Sequence, residues 1–256
     1  MKLLINRFIK PLALIAAVAT TAGCSSEPGP EPLPPLPGCD TDGAMADCVE
    51  PNRSPEYYIE QSSMYFDTMD KTKDRDILPA YSEQVIRWEW PPWLLLTGYT
   101  REQIIMLDKL LRLYPSVIPE RDCRYFDTQP FGRCRVVFYY DSHEGKGCPI
   151  YEEFTFSEQG EITFVEAWSD LPGFLPTDGD ADPWAEGADA KRLSTRIPGL
   201  GTPSGAHDLE GEWMKQAAQR DSDVADFVAR AKDWGPTWLE SLKESGDDLW
   251  ERGCGW

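Results

Sequence analysis

The sequence predicts an α+β domain: three N-terminal helices packed in a curved antiparallel sheet, followed by a C-terminal helical extension. Three observations point there. Apolar residues recur at helical spacing between about residues 54 and 113, the period changes to two from Arg124 to Trp168, and helical spacing returns after residue 207. With 256 residues, 41% of them hydrophobic, the chain can bury one core and carry additions, which excludes a disordered protein.

The elements follow in order. Ser54, Pro55 and Glu56 form a helix start, with Tyr58, Ser62, Tyr65 or Phe66, and Met69 on one face. A short second helix is expected from about Asp76 to Gln84, and then RWEWPPW (Arg87 to Trp93) is strand-like until its prolines. Thr100 caps a third helix whose buried stripe is Ile104, Leu107, Leu110, Leu111 and Leu113, ending before Pro115. CRVVFYYD (Cys134 to Asp141), IYEEFTF (Ile150 to Phe156) and EITFVEAW (Glu161 to Trp168) read as a meander, with a tight turn over Ser157 to Gly160. Residues 171–206 are an acidic, Gly- and Pro-rich loop. In 207–256, Asp208 caps a segment with Trp213, Met214 and Ala217. Val224, Phe227, Val228, Ala231 and Trp234 form a second stripe, and Trp238, Leu239, Leu242, Leu249 and Trp250 a third after Pro236. This appendage is expected to pack on the domain and cover its mouth.

Two runs carry a resemblance. AYSEQVIRWEWPPWLLLTGYTREQI (Ala80 to Ile104) and YEEFTFSEQGEITFVEAWSD (Tyr151 to Asp170) resemble the nuclear transport factor 2-like superfamily, in particular its SnoaL-like polyketide cyclase and ketosteroid isomerase branch. The resemblance spans 54–170 and implies a cone-shaped fold with a hydrophobic pocket between sheet and helices. It also implies an Asp near the start of the second helix, where Asp74 or Asp76 falls, and a His in the sheet, for which this chain has no counterpart. Its histidines are His143, in a turn, and His207.

The N-terminus reads as an address. Lys2, Arg7 and Lys10 precede an apolar run of roughly ten residues, Leu12 to Ala22, too short to span a bilayer, so 1–23 is expected to be an export signal. Thr21, Ala22, Gly23 and Cys24 resemble the bacterial lipobox, which implies lipidation at Cys24. Ser25 and Ser26 after the cysteine imply the outer membrane. Residues 24–53 are a tether, in which PGPEPLPPLP (28–37) is expected to extend as polyproline II. The remaining chain sets 22 basic against 44 acidic side chains, a net charge of −22, which excludes nucleic acid as a partner. Six cysteines follow Cys24, enough for three disulfides in an oxidising compartment. Fifteen connectivities are open; loop closure favours Cys39 with Cys48 and Cys123 with Cys134, leaving Cys148 for Cys254.

The hairpin supplies the sharpest candidate site. If Phe156 faces Ile162, register sets Phe154 opposite Phe164 and Glu152 opposite Glu166, with Trp168 beyond on the same face. Two carboxylates so placed cannot both ionise cheaply, and one becomes a candidate general acid or base, with Asp76 as the third candidate. Trp88, Trp90, Tyr139, Tyr140 and Trp168 are the candidate ligand-binding residues. Asp178, Asp180 and Asp182 read as an acidic solvent loop, because Pro183 stands where an EF-hand needs Gly, and neither metal nor cofactor is expected. Three functions stay open: an outer-membrane lipoprotein binding a small apolar ligand, an envelope lipoprotein that binds a partner protein, and an isomerase- or cyclase-type enzyme working through a buried carboxylate.

Overall fold

A computed structural model describes residues 49–90, 98–174, 182–184, 192–197, 207–233 and 248–256. Cys24, the tether as far as residue 48, Cys39 with Cys48, and Asp178 and Asp180 lie outside them. Helix α1 (Pro55–Asp67) starts as its sequence requires, with Ser54 accepting from the Tyr57 amide and Pro55 in the first turn. Helix α2 (Arg101–Leu111) is capped in the same way by Thr100.

The stretch between them corrects the expectation. No helix forms over 76–84; strand β1 runs Tyr81–Glu89 instead. Pro79 sits where an interior helical amide would be needed, and Asp74 closes a turn by accepting from the Asp76 amide at 3.2 Å. Two helices, not three, therefore stand N-terminal to the meander among the described residues. A further strand was not expected: β2 (Ser116–Tyr125) contains Pro119, which is tolerated because β2 is an edge strand and its ladder breaks between Val117 and Glu120.

Strands β3 (Gly132–Tyr140), β4 (Gly147–Phe156) and β5 (Ile162–Ser169) complete a curved five-stranded sheet of order β1-β5-β4-β3-β2. It is mixed rather than wholly antiparallel, because β1 runs parallel to β5. A chain that leaves β1, crosses through α2 and returns by the meander delivers β5 alongside β1 in the same direction.

Alternation assigns each strand an inner and an outer face. On the inner face Tyr58, Tyr65 and Phe66 of α1 and Ile104 and Leu107 of α2 pack on Val136, Phe138, Phe154, Phe156 and Val165. The contact of α1 with β3 is so close that a Cβ on Gly132 would fall 2.2 Å from the Ser62 hydroxyl. On the outer face Ile86, Trp88 and Phe164 meet Leu193, Ile197, Met214, Val224 and Phe227. Helices α3 (Glu212–Arg220) and α4 (Ser222–Lys232) thus cover the back of the sheet rather than the mouth of the domain.

The terminal helix, Asp248–Cys254, packs at the other side. Its Trp250 ring lies 4.4 Å from that of Tyr140, and Cys148 and Cys254 are joined by a disulfide. Cys123 and Cys134 are also joined, directly across the β2–β3 ladder. No helix among the described residues is long and apolar enough to cross a membrane.

Candidate functional site: a charged floor in the inner cavity

The site depends on the register of the β4–β5 hairpin. Phe156 faces Ile162 as the sequence requires, but Thr163 is inserted as a bulge, and from there Thr155 faces Phe164 and Phe154 faces Val165. Glu166 is therefore opposite Glu153, not Glu152, which faces Ala167. One extra residue sends the two candidate carboxylates to opposite faces of the sheet.

Glu152 points inward. With Arg87 and Glu89 of β1 it floors a cavity of about 30 Å3, room for about two waters. Met69, Leu111, Phe138, Ile150 and Ala167 form apolar walls, and Ser116, Tyr114 and Tyr140 complete the lining. Leu111, Tyr114 and Tyr140 are only half-buried and mark the mouth. Arg87 Nη1 donates to Glu152 Oε2 at 3.0 Å and Nη2 donates to Glu89, while Glu152 Oε1, completely buried, has no hydrogen-bond partner among the described residues.

Burial dominates the electrostatics. Loss of water pushes Glu152 up to about 8, against the downward pull of Arg87, and Glu89 and Asp108 add to the rise. Asp108 of α2, buried against the same cluster, is pushed up to about 7 by burial, with Arg87 again opposing. Tyr81, whose hydroxyl lies 3.5 Å from Asp108 Oδ2, is held above the usual phenol range by burial and by Asp108 and Glu152. Tyr140 is shifted upward by burial and then by Glu89 and Glu152. Glu152 is thus shifted to hold a proton near neutral pH, with Asp108 rather than Glu166 as its acidic neighbour.

Glu166 is equally buried on the outer face. Its carboxylate accepts from Trp90 Nε1 at 2.6 Å, the Leu193 amide at 2.7 Å and the Ser194 amide at 3.1 Å. Burial and then Glu153 raise its pKa, and these three donors resist the rise. Glu153 pairs with Arg133 at 2.5 Å and Arg192 at 3.3 Å. This second charged cluster ties the turn at 192–196 to the back of the sheet.

The other candidates separate in the same way. Of the five ligand-binding residues, Tyr140 alone lines the cavity. Trp88 lies in the outer core, Trp90 is bonded to Glu166, and Trp168 stacks on Tyr151 at 5.8 Å. Tyr139 donates to Glu120 at the sheet edge at 2.5 Å. Asp76 is 86% exposed, 3.2 Å from Arg112 and outside the cavity. His143 lies in a 3-10 turn against Trp250 and Trp256, and His207 contacts the Tyr99 carbonyl at 2.6 Å.

Arg87, Glu89 and Asp108 were missed. The RWEW alternation already set Arg87 and Glu89 on the face opposite Trp88 and Trp90, but nothing local decides which face turns inward. Among the described residues no group of three or more His, Cys, Asp or Glu side chains is arranged to hold a metal ion.

No family model matches the sequence, and no curated protein matches it. Solved structures do show similarity. A polyketide cyclase by provisional assignment, from Pseudomonas putida KT2440, is 16% identical with a TM-score of 0.34, over 44% of this chain and 92% of that one. An NTF2-like protein from Burkholderia xenovorans LB400 is 14% identical with a TM-score of 0.34, over 46% and 92% of the two chains. An NTF-2 like protein of unknown function from the same organism is 14% identical with a TM-score of 0.33, over 47% and 88%.

Proposed function

We propose that the domain is a binding module that holds a small molecule in the inner cavity, and that the chain works in the bacterial envelope as a lipoprotein anchored through Cys24, at the outer membrane. The observation that carries the binding reading is Glu152: a fully buried carboxyl with an unpartnered oxygen, facing a cavity whose walls are apolar. Leaving such an atom without a hydrogen bond costs about 1–3 kcal/mol, more if it is charged. A ligand whose polar end enters the cavity while its apolar body rests at the mouth, against Leu111, Tyr114 and Tyr140, removes that cost. The charged floor favours such a ligand over the wholly apolar one that the sequence suggested.

Ala167 supplies the test. It lines the cavity directly across from Glu152, and Ala167→Leu fills the space, at an overpacking cost of about 1–3 kcal/mol. Binding of small molecules, screened by thermal shift and measured by calorimetry, should weaken at least tenfold in this variant. Ligands that bind both proteins equally would place their site elsewhere and remove the reading.

A proton held on Glu152 is also what an isomerase- or cyclase-type enzyme would use. The same screen, analysed by mass spectrometry, distinguishes that second reading, because a binder returns every added compound unchanged.

The envelope address has its own test. Cys24→Ala should move the protein from the membrane fraction to the soluble periplasm. A variant that still sediments with membranes contradicts lipid anchoring.

A further inference from the structure

Among the described residues the exposed large apolar side chains are Ile77, Met106, Leu113 and Phe174, and the first three come from two segments that one side chain ties together. Arg112, at the end of α2, donates through Nε to the Thr68 carbonyl at 3.3 Å, through Nη1 to Asp76 at 3.2 Å and through Nη2 to the Arg75 carbonyl. The turn at 71–77 is thereby held against the end of α2. Met106, Lys109 and Leu113 are spaced three and four residues apart and follow one stripe. The stripe outlasts the helix because the Leu113 amide still donates to the Leu110 carbonyl, at 3.0 Å. Leu78 and Leu110 pack on the inner core, whereas Ile77, Met106 and Leu113 are 55%, 49% and 67% exposed.

The same surface is locally positive on a chain whose net charge is −19. Lys71 pairs with Asp141 and Arg112 with Asp76. Lys73 and Lys109, both exposed, and Arg75, half-buried, have no ion-pair partner among the described residues. The acids nearest them in the chain are Asp74, Glu102 one turn before Met106 on the stripe, and Asp108, which is buried. Charges are screened beyond about 8 Å at physiological ionic strength, so a contact made here meets this local excess and not the acidic whole.

We infer that this face rests on a bilayer surface containing anionic phospholipid, with Ile77, Met106 and Leu113 entering among the headgroups and Lys73, Arg75 and Lys109 beside the phosphates. Each cation close to such a surface is worth about fivefold in affinity. The side chains suit lipid better than protein. Protein interfaces are depleted in lysine and enriched in aromatic rings, whereas two of these three cations are lysines and the exposed apolar residues are aliphatic. Long aliphatic stems that end in a charge lie well along a headgroup layer. Leu111 and Tyr114 of the cavity mouth flank Arg112 and Leu113, so the mouth opens beside the same surface.

The inference goes beyond the binding reading and does not need lipid on Cys24. Salt releases a contact of this kind and leaves a lipid anchor in place, so the fractionation of Cys24→Ala is read after a high-salt wash.

The test uses the chain from Ser25 onward, which carries no lipid and retains every described residue, with its disulfides formed. It is sedimented with vesicles of phosphatidylcholine, alone or with about 30% phosphatidylglycerol. Binding to the mixed vesicles should be about tenfold tighter or more, and should weaken as salt is raised. Hydrogen exchange of the parent on those vesicles should slow in residues 71–77 and 106–113. Lys73→Glu with Arg75→Glu and Lys109→Glu should lose about tenfold or more in affinity, and Ile77→Ser with Leu113→Ser about fivefold or more, at denaturation midpoints close to that of the parent.

Equal binding to both vesicles, or none to the mixed ones, overturns the inference. So does protection that falls outside the two segments, a measurement on the parent that stands even if a variant does not fold. Protection of these segments that grows with protein concentration in the absence of vesicles would assign the face to a second copy of the chain and overturn the lipid reading.

Discussion

Arg87→Met should lower the stability of the fold by about 3–5 kcal/mol at neutral pH, the usual effect of removing one member of a buried ion pair. The methionine preserves much of the stem and loses the guanidinium, leaving Glu152 and Glu89 buried without the group that bridges them. The change should appear as a lower denaturation midpoint at an unchanged m-value. Adding Glu152→Leu should recover a large part of the loss, because an apolar replacement of a whole buried pair is often neutral or favourable.

The sign of the pH dependence follows from the folded-state shifts. Glu152 is raised from 4.5 to about 8 and Asp108 from 3.8 to about 7. Both acids hold protons in the folded state that the unfolded chain has already released. Their contribution is fully present below the unfolded values and is lost as pH rises to about 8. Without Arg87 the ionised form of Glu152 is still less favourable, so the gap between variant and parent should be wider near pH 8 than near pH 5. A gap that narrows as pH rises would show that Arg87 does not stabilise the ionised floor.

Cys148→Ala with Cys254→Ala should cause a loss of at least the same size. The bond closes a loop with a sequence separation of 106, for which loop-closure entropy gives about 4–5 kcal/mol. The Cys123–Cys134 bond, with a separation of 11, should be worth about 2 kcal/mol less on the same grounds. The loss should also have a place. Without the bond the terminal helix keeps the hydrogen bond from Ser169 to the Gly253 carbonyl and the contacts of Trp250 with Tyr140 and Tyr114. Amide exchange should accelerate first in residues 248–256, and the two tyrosines at the cavity mouth should become more exposed. Equal losses from the two double variants would show that loop length is not what decides their stabilisation.

The hairpin shows how far the sequence was legible. Its strands, its turn and the facing of Phe156 with Ile162 follow from alternation and from the turn residues. The bulge at Thr163 does not, because one inserted residue leaves no periodic signal, yet it moves Glu166 to the other face. Strand β1 hid for a different reason. Pro79 argued against a helix, but the competing strand draws its hydrogen bonds from β5, some eighty residues later, a partner no local window contains. Trp88 and Trp90 were recognised as sharing a face, and α3 and α4 decide that this face is a covered back rather than a ligand wall. The inner residues Arg87 and Glu89 became visible only once that covering was known. The cysteines Cys123, Cys134, Cys148 and Cys254 were readable because loop length and parity constrain them without any knowledge of the fold.

The central claim is that Glu152 sits in a ligand-accessible, poorly solvated cavity and keeps its proton at neutral pH. Carbon-13 NMR of its side-chain carboxyl, followed through a pH titration of the folded protein, tests this directly. The expected result is a midpoint at about 8. A midpoint in the ordinary carboxylate range would contradict it.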